Sequence, residues 1–296
     1  MKGIRMNRSG IIRGTLLILI LFPIMVILTS SPSGAFHLVK KWATDPVFKV
    51  PESVCWDFDR EILYVSNIVG NPGEKDGEGF ISRVSIEGEI RKLKWITGLN
   101  APKGMAVFGG RIYVSDIDEL AVIDIRMDKV VERYKAEGAV FLNDVAVDGK
   151  GNIYISDSSK ENSVIYRFSG GELEVWLRHK DIQSPNGLCV DGNRLVVGNS
   201  GDATLKAVDL RDRTVTTAVN VGSSADGVKV DSKGNYIVTD WRGRTALIEP
   251  DGGIYILLDT RSDGINAADI ELVDEYDMVV IPTFSDNRVV ATKLIY

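Results

Sequence analysis

Six short motifs recur along the chain, and their second residues are the ones whose chemistry stands out. The motifs are Pro51-Glu52-Ser53-Val54, Pro102-Lys103-Gly104-Met105, Leu142-Asn143-Asp144-Val145, Pro185-Asn186-Gly187-Leu188, Ala225-Asp226-Gly227-Val228 and Ala267-Ala268-Asp269-Ile270. From Glu52 through Lys103, Asn143, Asn186 and Asp226 to Ala268 the spacings are 51, 40, 43, 40 and 42 residues. Glu52, Asn143, Asn186 and Asp226 each carry a side-chain oxygen. If they converge, two carboxylates and two amides make a hard donor set whose charge cancels that of a dication. Such a set suits calcium, which accepts irregular cages of oxygen ligands, and it leaves other divalent cations open. Metals that prefer imidazole or thiolate are not expected, because the only histidines, His37 and His179, fall outside the pattern. A plainer reading is that Asn and Asp are turn residues at strand entries, but that leaves Glu52 unexplained.

The elements that would bring these residues together are strands. Each motif opens an apolar alternation, then a turn, then a second run rich in β-branched and aromatic residues: Ile62–Asn67, Ile112–Asp116, Ile153–Asp157, Leu195–Asn199, Tyr236–Asp240 and Met278–Thr283. Six units of about 40 residues with no convincing helix predict an all-β fold, a six-bladed β-propeller with four-stranded blades. The last unit, from Ala268 to Tyr296, has room for only three strands. The segment His37–Val50 is expected to supply the missing one, so that an N-terminal strand closes the last blade and covers its edge. Strand direction then puts all six second-position residues at one mouth of the central channel. For the sixth, a register one residue later would present Asp269. Ile270 and Leu272 match Val145 and Val147 better with Ala268 in the slot.

Residues 1–35 are set apart. Lys2, Arg5, Arg8 and Arg13 precede Thr15–Leu28, a charge-free run of 14 residues that ends near Ser33-Gly34-Ala35. This is the pattern of a signal peptide cleaved after Ala35, since a spanning helix needs about 20 apolar residues. An uncleaved N-terminal anchor is the alternative. Residues 36–296 form a single domain with a net charge of −10, expected to be periplasmic or secreted and monomeric. Its partner is expected to be a small-molecule substrate. The acidic surface argues against nucleic acid and against anionic membranes.

The runs Pro51-Glu52-Ser53-Val54-Cys55-Trp56, Asn143-Asp144-Val145-Ala146-Val147-Asp148, Pro185-Asn186-Gly187-Leu188 and Asp226-Gly227-Val228-Lys229-Val230-Asp231 resemble the gluconolactonase/senescence marker protein (regucalcin) family. The resemblance covers essentially the whole of residues 36–296. It implies a six-bladed propeller that holds a divalent metal, usually calcium, as in the related paraoxonases and diisopropyl fluorophosphatase. It implies Glu52, Asn186 and Asp226 as direct ligands, with Asn143 a ligand or a substrate contact. Sugar-lactone members place an arginine two residues before the third-blade Asn; here that position is Phe141, which speaks against an aldonolactone. The paraoxonase histidine pair has no counterpart. Lys103 is an unusual occupant of the second slot: it either attracts a substrate carboxylate or phosphate, balances the carboxylates, or points to solvent.

The expected activity is hydrolysis of lactones or related esters. The cation would polarise the carbonyl and acidify water, with Asp226 the candidate general base or nucleophile. Ligation lowers a carboxyl's pKa and so weakens it as a base, which sets Asp226's two roles against each other. The insertion Val69–Gly79 falls on the same face and is a candidate lid. Its acidic residues miss the calcium-loop spacing and read as a solvated loop. Trp241-Arg242 falls there too. Cys55 and Cys189 sit at equivalent positions of opposite blades, too far apart for a disulfide, and are expected to be buried free thiols. The motifs of serine hydrolases, zinc proteases, P-loops and dinucleotide folds are missing from the sequence. Two other propeller types stay open: a non-catalytic NHL-type domain that binds a protein or glycan, which Asn143–Asp157 also resembles, and a strictosidine-synthase-like propeller that works without metal.

Overall fold

The alternating, β-branched runs form strands, and the strands form six four-stranded antiparallel sheets. The structure, a computed structural model, describes residues 36–296; residues 1–35, for which a signal peptide is expected, lie outside the described residues. The innermost strands of blades 1 to 6 are Pro51–Asp57, Pro102–Phe108, Leu142–Val147, Pro185–Asp191, Val228–Val230 and Glu271–Val273. The second strands are Ile62–Asn67, Arg111–Asp116, Ile153–Asp157, Arg194–Asn199, Tyr236–Asp240 and Met278–Pro282. Blade 6 is completed as the sequence predicts: His37–Ala43 is its outermost strand, antiparallel to Val289–Ile295 with His37 opposite Ile295. Among the described residues the only helical elements are three single 3₁₀ turns.

Both faces of each blade are apolar, so adjacent blades stack and bury a wedge of side chains between them. Tyr64, Trp95 and Ile112 fill the wedge between blades 1 and 2. Tyr154, Trp176 and Leu188 fill that between blades 3 and 4. Val54, Val84 and Val280 join blade 6 back to blade 1.

Two local devices aim the motif residues. The first is a bulge at the head of the inner strand. In blade 1 Pro51 pairs with Asn67 but Val54 with Val65, so Glu52 and Ser53 together face one partner residue. The same slip occurs at Lys103/Gly104, Asn143/Asp144 and Asn186/Gly187. A bulge turns one of its two residues out of the pleat, and here the second-position side chain is turned into the mouth. The second device is the acid or amide that ends the second strand. Asp116 accepts the backbone N–H groups of Asn100 and Ala101, Asp157 those of Val140 and Phe141, and Asn199 that of Gln183. These bonds fasten the segment just ahead of each motif.

The third-position residues form a tier below. Asp144 accepts the N–H of Leu188 from the next blade at 2.6 Å, and Asp269 accepts the Ser53 hydroxyl at 2.6 Å. Such close approach requires glycine opposite them: a Cβ on Gly104 would lie 2.4 Å from the Cα of Asp144, and one on Gly227 would lie 2.9 Å from the Cα of Asp269.

Candidate functional site

Glu52, Lys103, Phe141, Asn143, Asn186 and Asp226 line one cavity of about 540 Å³ at the mouth of the channel. The structure thus brings together every residue the sequence singled out for ligation or substrate contact. Ala268 takes the sixth slot, since its carbonyl accepts the Thr239 hydroxyl as the carbonyl of Asn143 accepts that of Ser115. Asp269 lies one tier lower and bonds the N–H of Ile270, as Asp144 bonds that of Val145.

Glu52 is 6% exposed, and its Oε2 is buried without a hydrogen-bond partner. Burial and the nearby carboxylates of Asp226 and Asp269 hold its carboxyl well above the usual range. Asp226 keeps some exposure toward the cavity. Its Oδ1 accepts the Asn186 amide at 2.5 Å, and its backbone N–H donates to the Thr239 carbonyl at 2.8 Å. Burial, with Asp269 adding to it, pushes its carboxyl up to about 7. Lys103 is 1% exposed. Its Nζ donates to the carbonyls of Pro72 and Ala101 at 3.1 and 3.2 Å and lies 4.4 Å from the Phe141 ring centroid. Burial lowers its ammonium pKa to about 8 against the pull of Glu52 and Asp116. Of the three roles open to Lys103, pointing to solvent is thereby excluded.

The donor set fits a hard cation. It is all oxygen, and a buried carboxylate oxygen with no partner is the kind of atom a cation satisfies. Among the described residues no cluster of three or more His, Cys, Asp or Glu side chains is placed to hold a metal. A metal here would have to take part of its protein ligation from the amides of Asn143 and Asn186.

The mouth is rimmed by residues that immediately follow the second strands: Ile68, Ser158, Ser200 and Trp241, with Phe284 after Thr283. Sequence reasoning picked out Trp241 and missed the other four. Their signal was positional, one step beyond the Asp, Asn or Thr that ends each strand. Phe284 has φ 48°, a left-handed conformation that costs a bulky residue about 1–3 kcal/mol. The candidate lid also reaches the rim. Pro72 is held by Lys103, and Lys75 is ion-paired to Asp118 of blade 2 at 2.6 Å. Asn71 and Asp76 spend their oxygens on turns within the loop, accepting the N–H groups of Gly73 and Glu78.

Comparison with known proteins places the chain in a family. A model described as the SMP-30/gluconolactonase/LRE-like region matches residues 50–261, most of the chain. The chain belongs to this family. Several solved structures are similar to this SMP-30/gluconolactonase/LRE-like propeller. A presumed gluconolactonase is 15% identical with a TM-score of 0.65, over 89% of this chain and 94% of that one. A streptogramin B lyase is 11% identical with a TM-score of 0.63, over 88% and 98%. A catalytically inactive virginiamycin B lyase from Staphylococcus aureus, solved with quinupristin, is 11% identical with a TM-score of 0.62, over 88% and 100%. At such identities the likeness is one of fold. No curated protein matches the chain significantly.

The other end of the channel holds a smaller cavity of about 330 Å³, lined in part by Cys55, Cys189, Lys229 and Glu271. Both cysteines are free; Cys55 is buried, as the sequence leads one to expect, whereas Cys189 is only half-buried. Burial raises both thiols, Cys189 to about 11, which leaves them unreactive at neutral pH.

Proposed function

We propose that the upper cavity is the active site of a hydrolase of lactones or related esters, built around a calcium-type cation held by Glu52, Asn143, Asn186 and Asp226. The observation that carries this is the orphaned Oε2 of Glu52 on the same cavity floor as Asp226 and the two amides. The bound cation would supply positive charge to polarise a carbonyl oxygen and acidify a water. The chain's own groups do the rest. Asp226 holds or moves a proton at its carboxylate, and the Asn186 amide fixes its orientation. Asn143 and Phe141 border the substrate. Lys103, tied to two carbonyls, offsets the charge of Glu52 and steadies the Pro72 loop. The leader-like N-terminus fits work in the periplasm or outside the cell, on a small-molecule substrate.

The test is calorimetric titration of residues 36–296 with calcium, followed by a panel of lactones and aryl esters. One-site binding with calcium-dependent hydrolysis is expected. Lack of binding would sink the proposal and leave a non-catalytic, NHL-type interaction scaffold.

Protons compete with the cation for the carboxylates, so affinity should fall as pH falls. With Asp226 at about 7 and Glu52 also held above the usual carboxylate range, we expect a loss of at least about tenfold per pH unit below neutrality, at least one proton being released for each cation bound. Calorimetry in buffers of different ionisation enthalpy measures that proton directly, and an affinity flat across neutral pH would contradict the assignment. The sign for stability is opposite. A raised carboxyl pKa favours the metal-free fold at acid pH, and that contribution is lost as pH rises through about 7. Calcium should therefore raise Tm more at alkaline than at acid pH.

A further inference from the structure

The wall of the upper cavity is divided into two arcs. Blades 5, 6 and 1 contribute Trp241, Phe284, Ile68 and the loop residue Pro72, whereas blades 3 and 4 contribute Ser158, Lys160, Ser184 and Ser200. The apolar arc is built. Trp241 stands edge-on to Phe284, with ring centroids 5.5 Å apart and planes at 78°. Asn266 joins their loops, donating to the Trp241 carbonyl at 3.0 Å and accepting the N–H of Ser285 at 3.4 Å. Phe284 also packs on a small buried cluster of Ile68, Ala101 and Ile117. Yet Trp241 remains 44% exposed.

A polyhydroxylated ring filling this cavity would turn several hydroxyl groups toward an arc that has no side-chain acceptor and whose only side-chain donor is the single indole N–H of Trp241, leaving most of them unpaired. An alkyl or aryl group would instead be desolvated there. We infer that the substrate is an amphipathic lactone or ester whose alkyl or aryl substituent lies against Trp241, Phe284 and Ile68, with its polar end toward the serines. Trp241 is then a specificity-determining residue. This inference rests on the hydrolase reading above.

The experiment is the hydrolysis of γ-lactones with alkyl substituents from methyl to hexyl, beside glucono-δ-lactone, by calcium-loaded protein. kcat/KM should rise about threefold to fourfold for each added methylene, and glucono-δ-lactone should be the poorest substrate. Trp241→Ala should flatten the dependence on chain length, whereas Trp241→Phe should keep most of it; the side chain is partly exposed, so neither change threatens folding. Turnover that is independent of chain length, or that favours glucono-δ-lactone, overturns the inference and leaves the hydrolase reading intact. If nothing turns over, the hydrolase reading fails. The same lactones are then titrated against the protein by tryptophan fluorescence. Affinity that grows with chain length keeps the apolar subsite, and its absence retires it.

Discussion

Asp226→Asn is expected to abolish calcium binding and to lower kcat/KM by at least about 10³-fold. The substitution keeps shape and one oxygen but removes one of the two formal charges in the donor ring, so a dication would meet a net charge of minus one. It also disturbs the bond in which Oδ1 accepts the Asn186 amide, because an amide nitrogen turned that way would meet another donor. The Asn186 amide then loses its alignment as well. Fold should survive: Asp226 keeps its backbone bond to Thr239, and removing a carboxylate whose ionised form is disfavoured by burial relieves Glu52. Calorimetry for binding, with circular dichroism to confirm the fold, makes the check. Retention of wild-type calcium affinity by this variant would remove Asp226 from the ligand set.

The second large effect is on stability. Lys229 projects into the channel below the ring, its Nζ 3.6 Å from Glu271, with its side chain 19% exposed. Burial would discharge it, but Glu271, Asp269 and Asp144 outweigh burial and hold its pKa well above the usual range. Lys229→Met would leave those carboxylates facing one another without a cation. Breaking a buried pair in this way costs about 3–5 kcal/mol, or roughly 10 °C in Tm for a domain of this size. The loss should deepen as pH rises, because Asp144 and Asp269 already titrate above the ordinary carboxylate range and would be pushed higher. A Lys229→Met/Glu271→Gln double variant should recover part of it. Thermal melts across the pH range read both effects. A single variant as stable as wild type would mean that the carboxylates simply stay protonated.

The propeller was legible because it is repetitive. Six copies of one pattern average out the weakness of any single strand, and the shortfall in the last copy pointed to the segment His37–Val50, within which His37–Ala43 is the completing strand. The ring was legible because Glu52, Asn143, Asn186 and Asp226 occupy equivalent positions, and equivalence in a propeller means convergence. The charge tier was not read. Lys229 and Glu271 stand where the other blades have Cys55, Ala106, Ala146 and Cys189, a deviation visible in the sequence. Its meaning depends on which blades are adjacent, and on Asp144 and Asp269 protruding one level higher. The apolar arc was missed for a different reason. Loop conformation decides whether Phe284 turns in or out, and it turns in through a positive φ that its residue type disfavours.

Closure of the ring bears on when the site comes into being during synthesis. Glu52 lies at the seam, where its carbonyl accepts the N–H of Asp269 at 3.1 Å from the blade opposite it in chain order, and its neighbour Ser53 bonds the Asp269 carboxylate. Until Val289–Ile295 has been made and has paired with His37–Ala43, blade 6 is incomplete and blade 1 has no neighbour on one side. Pairing of the chain's two ends therefore comes late, as contacts of long sequence separation do. A nascent propeller carries three of its four oxygen donors on blades 3 to 5 but lacks a fixed Glu52. A cation that needs all four would bind only the finished ring, and would act as a latch on the seam.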